Sequence, residues 1–252
     1  MRPLVVVLQN VSSRETRLCR MACLTADIPV LNASLTQMEQ GVIAVDKTTL
    51  VVGSVEFVMA ALCAAQIPPP ENLSYAEQIQ RFLLRRISTS TVNALNGRMF
   101  VKPLQTKAFT GFVYDPQALP DAYDEAQRES LREMLMLPGS TRVWVSEIVE
   151  FQSEWRYYIQ GGEIIGQARY DDKPGDAPTP DGAIVHEAML AMGLPHPYTL
   201  DFGVLSSGQT ALVEANDAFS IGLYEHALNP KQYLDFLAQR WSWFFKVDPP
   251  KR

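Results

Sequence analysis

A run of three prolines, Pro68-Pro69-Pro70, does more than any other stretch to limit how this 252-residue chain folds. Each proline fixes φ and lacks the N–H that a helix interior or a central strand requires, so the run is an extended spacer. The sequence on its two sides differs in texture. We therefore place a domain boundary there, with residues 1–70 as a small N-terminal domain and 71–252 as the larger one.

Before the prolines, apolar runs alternate with helical patterns. Residues 3–9 (PLVVVLQ) read as a buried parallel strand. A helical pattern follows over 13–26, with further strands at 28–31 and 49–52. Gly53-Ser54 then starts a helix that runs to 65. After the prolines, the spacing of Ile79, Phe82, Leu83 and Ile87 predicts a helix over 75–87. Strands are expected at 99–102 and, after an acidic helix over 121–137, at 143–151. Two hairpins come next. One pairs 155–159 with 163–170 around Gly161-Gly162, and the other pairs 199–205 with 210–216 around Ser207-Gly208. The segment 171–182 between them is rich in proline, glycine and aspartate and reads as a loop. An aromatic amphipathic helix over 230–245 follows, its aromatic residues suited to a core or an interface. The fold class is α/β, with α+β character in the larger part.

Lys and Arg number 22 against 28 Asp and Glu, a net charge of −6, which argues against a protein that grips nucleic-acid backbone. Hydrophobic residues make up 47% of the chain, enough for full cores and against disorder. Three cysteines cannot form a disulfide framework and fit a reducing compartment, so the expected location is cytoplasmic. Cys19 and Cys23, one helical turn apart with no further ligand near in sequence, read as small buried hydrophobes. The apolar stretches at 1–8 and 55–65 are too short for a signal peptide or a membrane span.

Common nucleotide and hydrolase motifs are absent. Gly161 and Gly166 have the spacing of a phosphate loop, but Gln167-Ala168 stand where Lys-Ser/Thr is required. The hairpins are more informative. Centred on Ser207-Gly208, the second sets Asp201 opposite Glu214, with Asn216 on the same face. Facing carboxylates repel, and three oxygen-bearing side chains on one face suit a hard cation such as Mg²⁺. A solvated polar face is the plainer alternative, but the adjacent apolar Leu212 and Val213 imply burial on both sides. Centred on Gly161-Gly162, the first hairpin sets Glu154 opposite Arg169, with Arg156 on the same face. That grouping suits either phosphate oxygens or a surface salt bridge. Finally, the apolar strand Phe100-Val101-Lys102-Pro103 ends in lysine. Lys107, Thr110 and Gly111 follow in a loop that suits either closure over phosphates or a surface turn.

Taken in order, these pieces resemble the ATP-grasp superfamily, over about residues 75–225. Lys107-Ala-Phe-Thr-Gly111 is similar to a signature of its small bacterial and phage clade named for one arginine and two lysines. The stretch from Glu154 to Arg169 is similar to one in the ligases that add glutamate to peptides or proteins. The resemblance implies an ATP-grasp module of two α+β subdomains with ATP between them, preceded by the small α/β domain. It implies that Lys102 binds nucleotide phosphate, with Lys107, Thr110 and Gly111 beside it. Glu147, Ile148 and Val149 would be the hinge that holds adenine, and Glu154 the ribose carboxylate. Arg156 and Arg169 would contact phosphates or an acyl phosphate, and Asp201, Glu214 and Asn216 would hold magnesium. The family's usual glycine-rich loop is reduced to Thr110-Gly111, and Arg85 or Arg86 stands in for a lysine of the preceding subdomain.

The activity so implied is an ATP- and Mg²⁺-dependent carboxylate–amine ligase that forms an acyl phosphate and releases ADP. Arg156, Arg169 and Lys107 would be its catalytic residues, and 171–182 its lid. An ATP-dependent phosphotransferase and a non-catalytic ATP-binding protein are the alternatives. Expected partners are ATP and small-molecule, peptide or protein carboxylates and amines. A homodimer is the expected assembly, and neither membrane nor nucleic acid is an expected partner.

Overall fold

A computed structural model of the chain describes residues 3–104 and 108–246. Two compact units emerge: residues up to 82 together with 152 onward, and residues 83–151. The proline run lies inside the first.

The first unit opens with strand β1 (Val5–Gln9), helix α1 (Arg14–Ala26), β2 (Val30–Ala33), the short α2 (Leu35–Glu39), β3 (Thr49–Val52) and α3 (Val55–Ala64). The strands form a parallel sheet of order β2-β1-β3. Val6, Val7 and Leu8 are fully buried, as a parallel strand covered on both faces requires. Ser13 caps α1 in a capping box with Thr16, and Ser54 caps α3. Strand β2 begins later than the sequence pattern suggests. Asp27 ends α1 in a left-handed conformation, and the Ile28 N–H still bonds to the Cys23 carbonyl, so both residues belong to the helix cap.

The predicted helix over 75–87 is instead a short 3₁₀ turn, Glu77–Phe82. Leu84, with φ +49°, breaks the chain direction, and Ile87 begins a strand. Ile79 and Phe82 are buried in either conformation, so their spacing alone did not separate the two.

The second unit contains β4 (Ile87–Thr91), β5 (Met99–Pro103), β6 (Phe112–Tyr114), α4 (Glu125–Met136) and β7 (Arg142–Ser146). Its antiparallel sheet has the order β4-β7-β5-β6. Val101, Phe109, Phe112, Tyr123, Met134 and Val143 form its core. The predicted strand over 143–151 is interrupted: β7 stops at Ser146, whose hydroxyl donates to the Glu147 carbonyl (2.9 Å) and takes it out of the ladder.

The chain then returns to the first unit with β8 (Phe151–Gln160), β9 (Glu163–Arg169), α5 (Gly182–Met192), β10 (Tyr198–Leu205), β11 (Thr210–Asp217) and α6 (Pro230–Phe244). These strands form a sheet of order β11-β10-β8-β9. Asn229 caps α6 and Pro230 occupies its first turn, where no N–H is needed. The aromatic residues of α6 are core: Tyr233, Phe236 and Trp241 share one apolar cluster with β1, β3, α1, α3 and Tyr158 of β8. Cys19 and Cys23 lie in the same cluster. Among the described residues no helix is long and apolar enough to cross a membrane.

Candidate active site

The two hairpins of the first unit set the site, and each contains a bulge. Gly161 and Gly162 both have positive φ, as a two-residue hairpin turn requires. Tyr158 pairs with Gly166 but Ile159 with Ile164, so Ile165 is an extra residue. The register beyond it slips by one, and Arg169 stands opposite Trp155 rather than Glu154. The predicted Glu154–Arg169 pair is therefore wrong, and Arg169 points to the sheet face opposite Arg156. Tyr170 takes its place: its N–H donates to the Glu154 carbonyl (2.9 Å) and its hydroxyl to Glu154 Oε2 (2.7 Å).

In the second hairpin the turn is one residue longer than the sequence signal suggests. Leu205 N–H donates to the Gln209 carbonyl, and Gly208 takes φ +85° to close the turn Ser206-Ser207-Gly208. Val213 is then an extra residue in β11, because Phe202 pairs with Leu212 while Asp201 pairs with Glu214. The longer turn and the bulge offset each other. Asp201 faces Glu214, as predicted, with Asn216 and Thr199 on the same face.

Asp201 is 1% exposed. Arg156 grips it with two hydrogen bonds, Nε to Oδ1 at 2.8 Å and Nη2 to Oδ2 at 2.6 Å. Asn216 Nδ2 bridges the carboxylates, donating to Asp201 Oδ2 (3.3 Å) and Glu214 Oε1 (3.0 Å). Burial works against the charge of Arg156, but the charge and hydrogen bonds of Asp201 outweigh it, and its pKa is raised. Tyr170 stacks on Tyr224 at 4.9 Å, and the Arg156 guanidinium lies 5.7 and 5.0 Å from the two ring centres. Burial, then the charges of Asp201 and Glu154, push the Tyr170 phenol far above its usual pKa. It stays protonated and keeps donating to Glu154.

Arg169 is committed elsewhere, with its Nε and Nη2 on Asp171 (2.8 and 2.6 Å) and further bonds to the carbonyls of Lys173 and Gly175. Asp171 also accepts from the N–H groups of Glu154 and Lys173. The bonds from Arg169, ahead of those N–H groups, hold its pKa down to about 2.

The second unit carries other predicted residues. Lys102 sits on β5 opposite Trp144, and Gly111 lies beside it: a Cβ on Gly111 would stand 3.4 Å from the Lys102 Cβ and 2.7 Å from the Phe100 ring. A side chain at 111 would have to displace the Phe100 ring. Thr110 is exposed next to it. Glu147 pairs with Arg86, accepting from its N–H (2.9 Å) and guanidinium, and these bonds lower its pKa. Ile148 and Val149 follow in the gap between β7 and β8. Arg85 donates to the Leu83 carbonyl and lies over the Phe151 ring. Lys107 falls outside the described residues.

A family profile described as "ATP-grasp domain, R2K clade family 2" matches residues 82–236, more than half of the chain. The chain belongs to this ATP-grasp family. The solved structures with a similar fold include the ATP-grasp ligase PsnB complexed with a minimal precursor (TM-score 0.55, 13% identity, covering 94% of this chain and 99% of that one). Another is a D-alanine–D-alanine ligase from Bacillus anthracis (0.54, 12%, 98% and 99%). A third is a RimK domain ATP-grasp protein from Sphaerobacter thermophilus DSM 20745 (0.54, 15%, 97% and 99%). At these identities the likeness is one of fold, and the fold is ATP-grasp. No curated protein sequence matches the chain.

The donor set of this ATP-grasp chain suits a magnesium ion. Two carboxylates and an amide converge on one face, and the amide N–H groups now supply the positive end that the carboxylates demand. The Thr199 hydroxyl, fully buried on that face, has no hydrogen-bond partner among the described residues. Among the described residues no three His, Cys, Asp or Glu side chains group as a metal site; the candidate set here is two carboxylates and the amide of Asn216. Tyr170, Asp171 and Tyr224 escaped the sequence reading. The corrected register alone would have revealed Tyr170. Tyr224 lies in an irregular segment after β11, where no periodicity points to it.

Proposed function

We propose that this ATP-grasp chain is an ATP- and Mg²⁺-dependent carboxylate–amine ligase that works through an acyl phosphate and releases ADP. The observation that carries the reading is the cluster of Asp201, Glu214 and Asn216 with Arg156 and Glu154 alongside. Asp201, Glu214 and Asn216 would hold magnesium, which supplies charge neutralisation at the phosphates. Lys102, with Lys107, Thr110 and Gly111, takes phosphate oxygens. The backbone of Glu147, Ile148 and Val149 takes adenine. Glu154, oriented by Tyr170, accepts from the ribose hydroxyls.

A substrate carboxylate oxygen attacks the γ-phosphorus and ADP leaves. An amine then attacks the acyl carbon, and phosphate leaves as the amide forms. Arg156 balances charge on the phosphoryl oxygens, and positioning does most of the remaining work. Arg169 contributes by fastening 171–175, the start of a lid that keeps water from the acyl phosphate. Peptides and amino acids are the substrate classes that the solved ligases of this fold suggest.

The test is mass spectrometry on the full chain with ATP, Mg²⁺ and panels of carboxylates and amines. The expected products are ADP, phosphate and an amide, with a hydroxamate when hydroxylamine is added. AMP formation overturns the mechanism. A phosphorylated product that survives hydroxylamine makes the chain a phosphotransferase instead.

A further inference from the structure

Thr16, Ser153 and Thr210 are buried, and the hydroxyl of each is hydrogen-bonded. Thr16 donates to the Val11 carbonyl, Ser153 donates to the Pro178 carbonyl, and Thr210 accepts from the Asp181 N–H. Among the described residues, the only hydroxyl oxygen sealed from solvent without a hydrogen bond is that of Thr199. A polar atom left in this way costs stability, and native proteins keep one where water or an ion completes it. Valine would fill the same space with no oxygen to satisfy.

The place of this hydroxyl in the sheet is informative. Thr199 lies two residues before Asp201 on β10 and directly across from Asn216 on β11, so its side chain shares a face with Asp201, Glu214 and Asn216. The Asn216 amide directs its N–H groups to Asp201 and Glu214, and Arg156 directs Nε and Nη2 to Asp201. None of these bonds reaches Thr199. Its neighbours Tyr198 and Leu200 turn to the other face, where the Tyr198 hydroxyl donates to the Met189 carbonyl (3.1 Å).

We propose that Thr199 is a further member of the cation site, its hydroxyl accepting a hydrogen bond from a water that the cation retains. Mg²⁺ dehydrates reluctantly, so a site made of two carboxylates and an amide leaves it waters that need acceptors. Thr199 is then a positioning residue for the hydrated ion. This rests on the cation site proposed above, and the experiment separates the two.

Mn²⁺ is titrated into the full chain, first alone and then with ADP, and the bound ion is read by electron paramagnetic resonance. The wild type is compared with Thr199→Val, Thr199→Ser and Glu214→Gln. Thr199→Val is expected to hold Mn²⁺ about fivefold more weakly than the wild type. Thr199→Ser, which keeps the hydroxyl, stays within about twofold of it. Glu214→Gln loses more than either. Urea unfolding in EDTA supplies a readout free of cation, and there Thr199→Val is expected to be at least as stable as the wild type.

Unchanged Mn²⁺ affinity in Thr199→Val, with Glu214→Gln weakened, leaves the cation site standing and overturns the role of Thr199. A Thr199→Val chain that is less stable than the wild type in EDTA, or does not fold, gives the hydroxyl a structural role instead and also overturns it. Mn²⁺ binding that ignores Glu214→Gln, or no binding under either condition, removes the cation site and the inference with it.

Discussion

Two buried arginine–aspartate pairs hang from the β10–β11 hairpin, and they differ in their surroundings. Arg240 of α6 grips Asp217 with Nε and Nη2 at 2.6 and 2.7 Å, much as Arg156 grips Asp201. Both pairs are more than nine-tenths buried. Arg240 has the Phe244 ring 3.7 Å away, and its charge adds to the burial that holds His196 below its usual pKa. Its pair is balanced and ties a core helix to a strand end. Arg156 has further acidic residues near it: Glu214 lies opposite Asp201, and Glu154 is held by Tyr170, whose ring flanks the guanidinium. The same bidentate geometry therefore serves structure where charge is balanced. Beside further carboxylates it belongs to the candidate site.

The largest expected effect tests the site half of this comparison. Glu214→Ala or Lys102→Ala should lower ATP turnover by about a thousandfold or more, with an unchanged circular dichroism spectrum and Tm. Wild-type turnover in either folded variant would falsify the site. The second effect belongs to the balanced pair. Arg240→Ala leaves Asp217 buried and unpaired and should cost about 3–5 kcal/mol in urea unfolding. Nucleotide affinity of the folded protein should not change. Lost affinity with unchanged stability would erase the distinction between the pairs.

The smallest effect concerns Asp171, whose pKa is held down to about 2 by Arg169 and two N–H groups. A depressed carboxylate pKa contributes stability above its unfolded value, near 4, and loses it as pH falls through about 2. Asp171→Asn should therefore be destabilised by about 1–3 kcal/mol at pH 6. Its urea midpoint should converge on that of the wild type as the pH approaches 2. A gap that stays constant over that range would show that the ionised carboxylate is not what matters there.

How far the sequence could be read depended on local geometry. The Asp201–Glu214 pairing was legible because carboxylates on an apolar strand are conspicuous, although the turn was misjudged by one residue and the bulge at Val213 compensated. In the other hairpin the turn was read correctly, and an unseen bulge at Ile165 moved Arg169 to the wrong face. Bulges leave little trace in hydrophobic alternation, because one extra apolar residue looks like ordinary burial. The helix expected over 75–87 failed for a related reason. Its apolar residues are buried, but Leu84 adopts a left-handed conformation that periodicity does not report. Tyr170 and Tyr224 meet through tertiary packing alone, and no motif joins them.

The shared core of the first unit bears on how the chain is made. Residues of β1, β3, α1 and α3 pack against α6, which is synthesised much later, because the whole second unit intervenes in the sequence. The second unit is continuous in sequence and can gather its own core as soon as it has left the ribosome. The N-terminal sheet has no such independence. Its Gly53 carbonyl waits for Ser220, its Glu15 for Leu223, and its Asp46 carbonyl for Trp241. Until those partners emerge, one apolar face of that sheet stays uncovered, and the early segment of the chain is the one most in need of a chaperone.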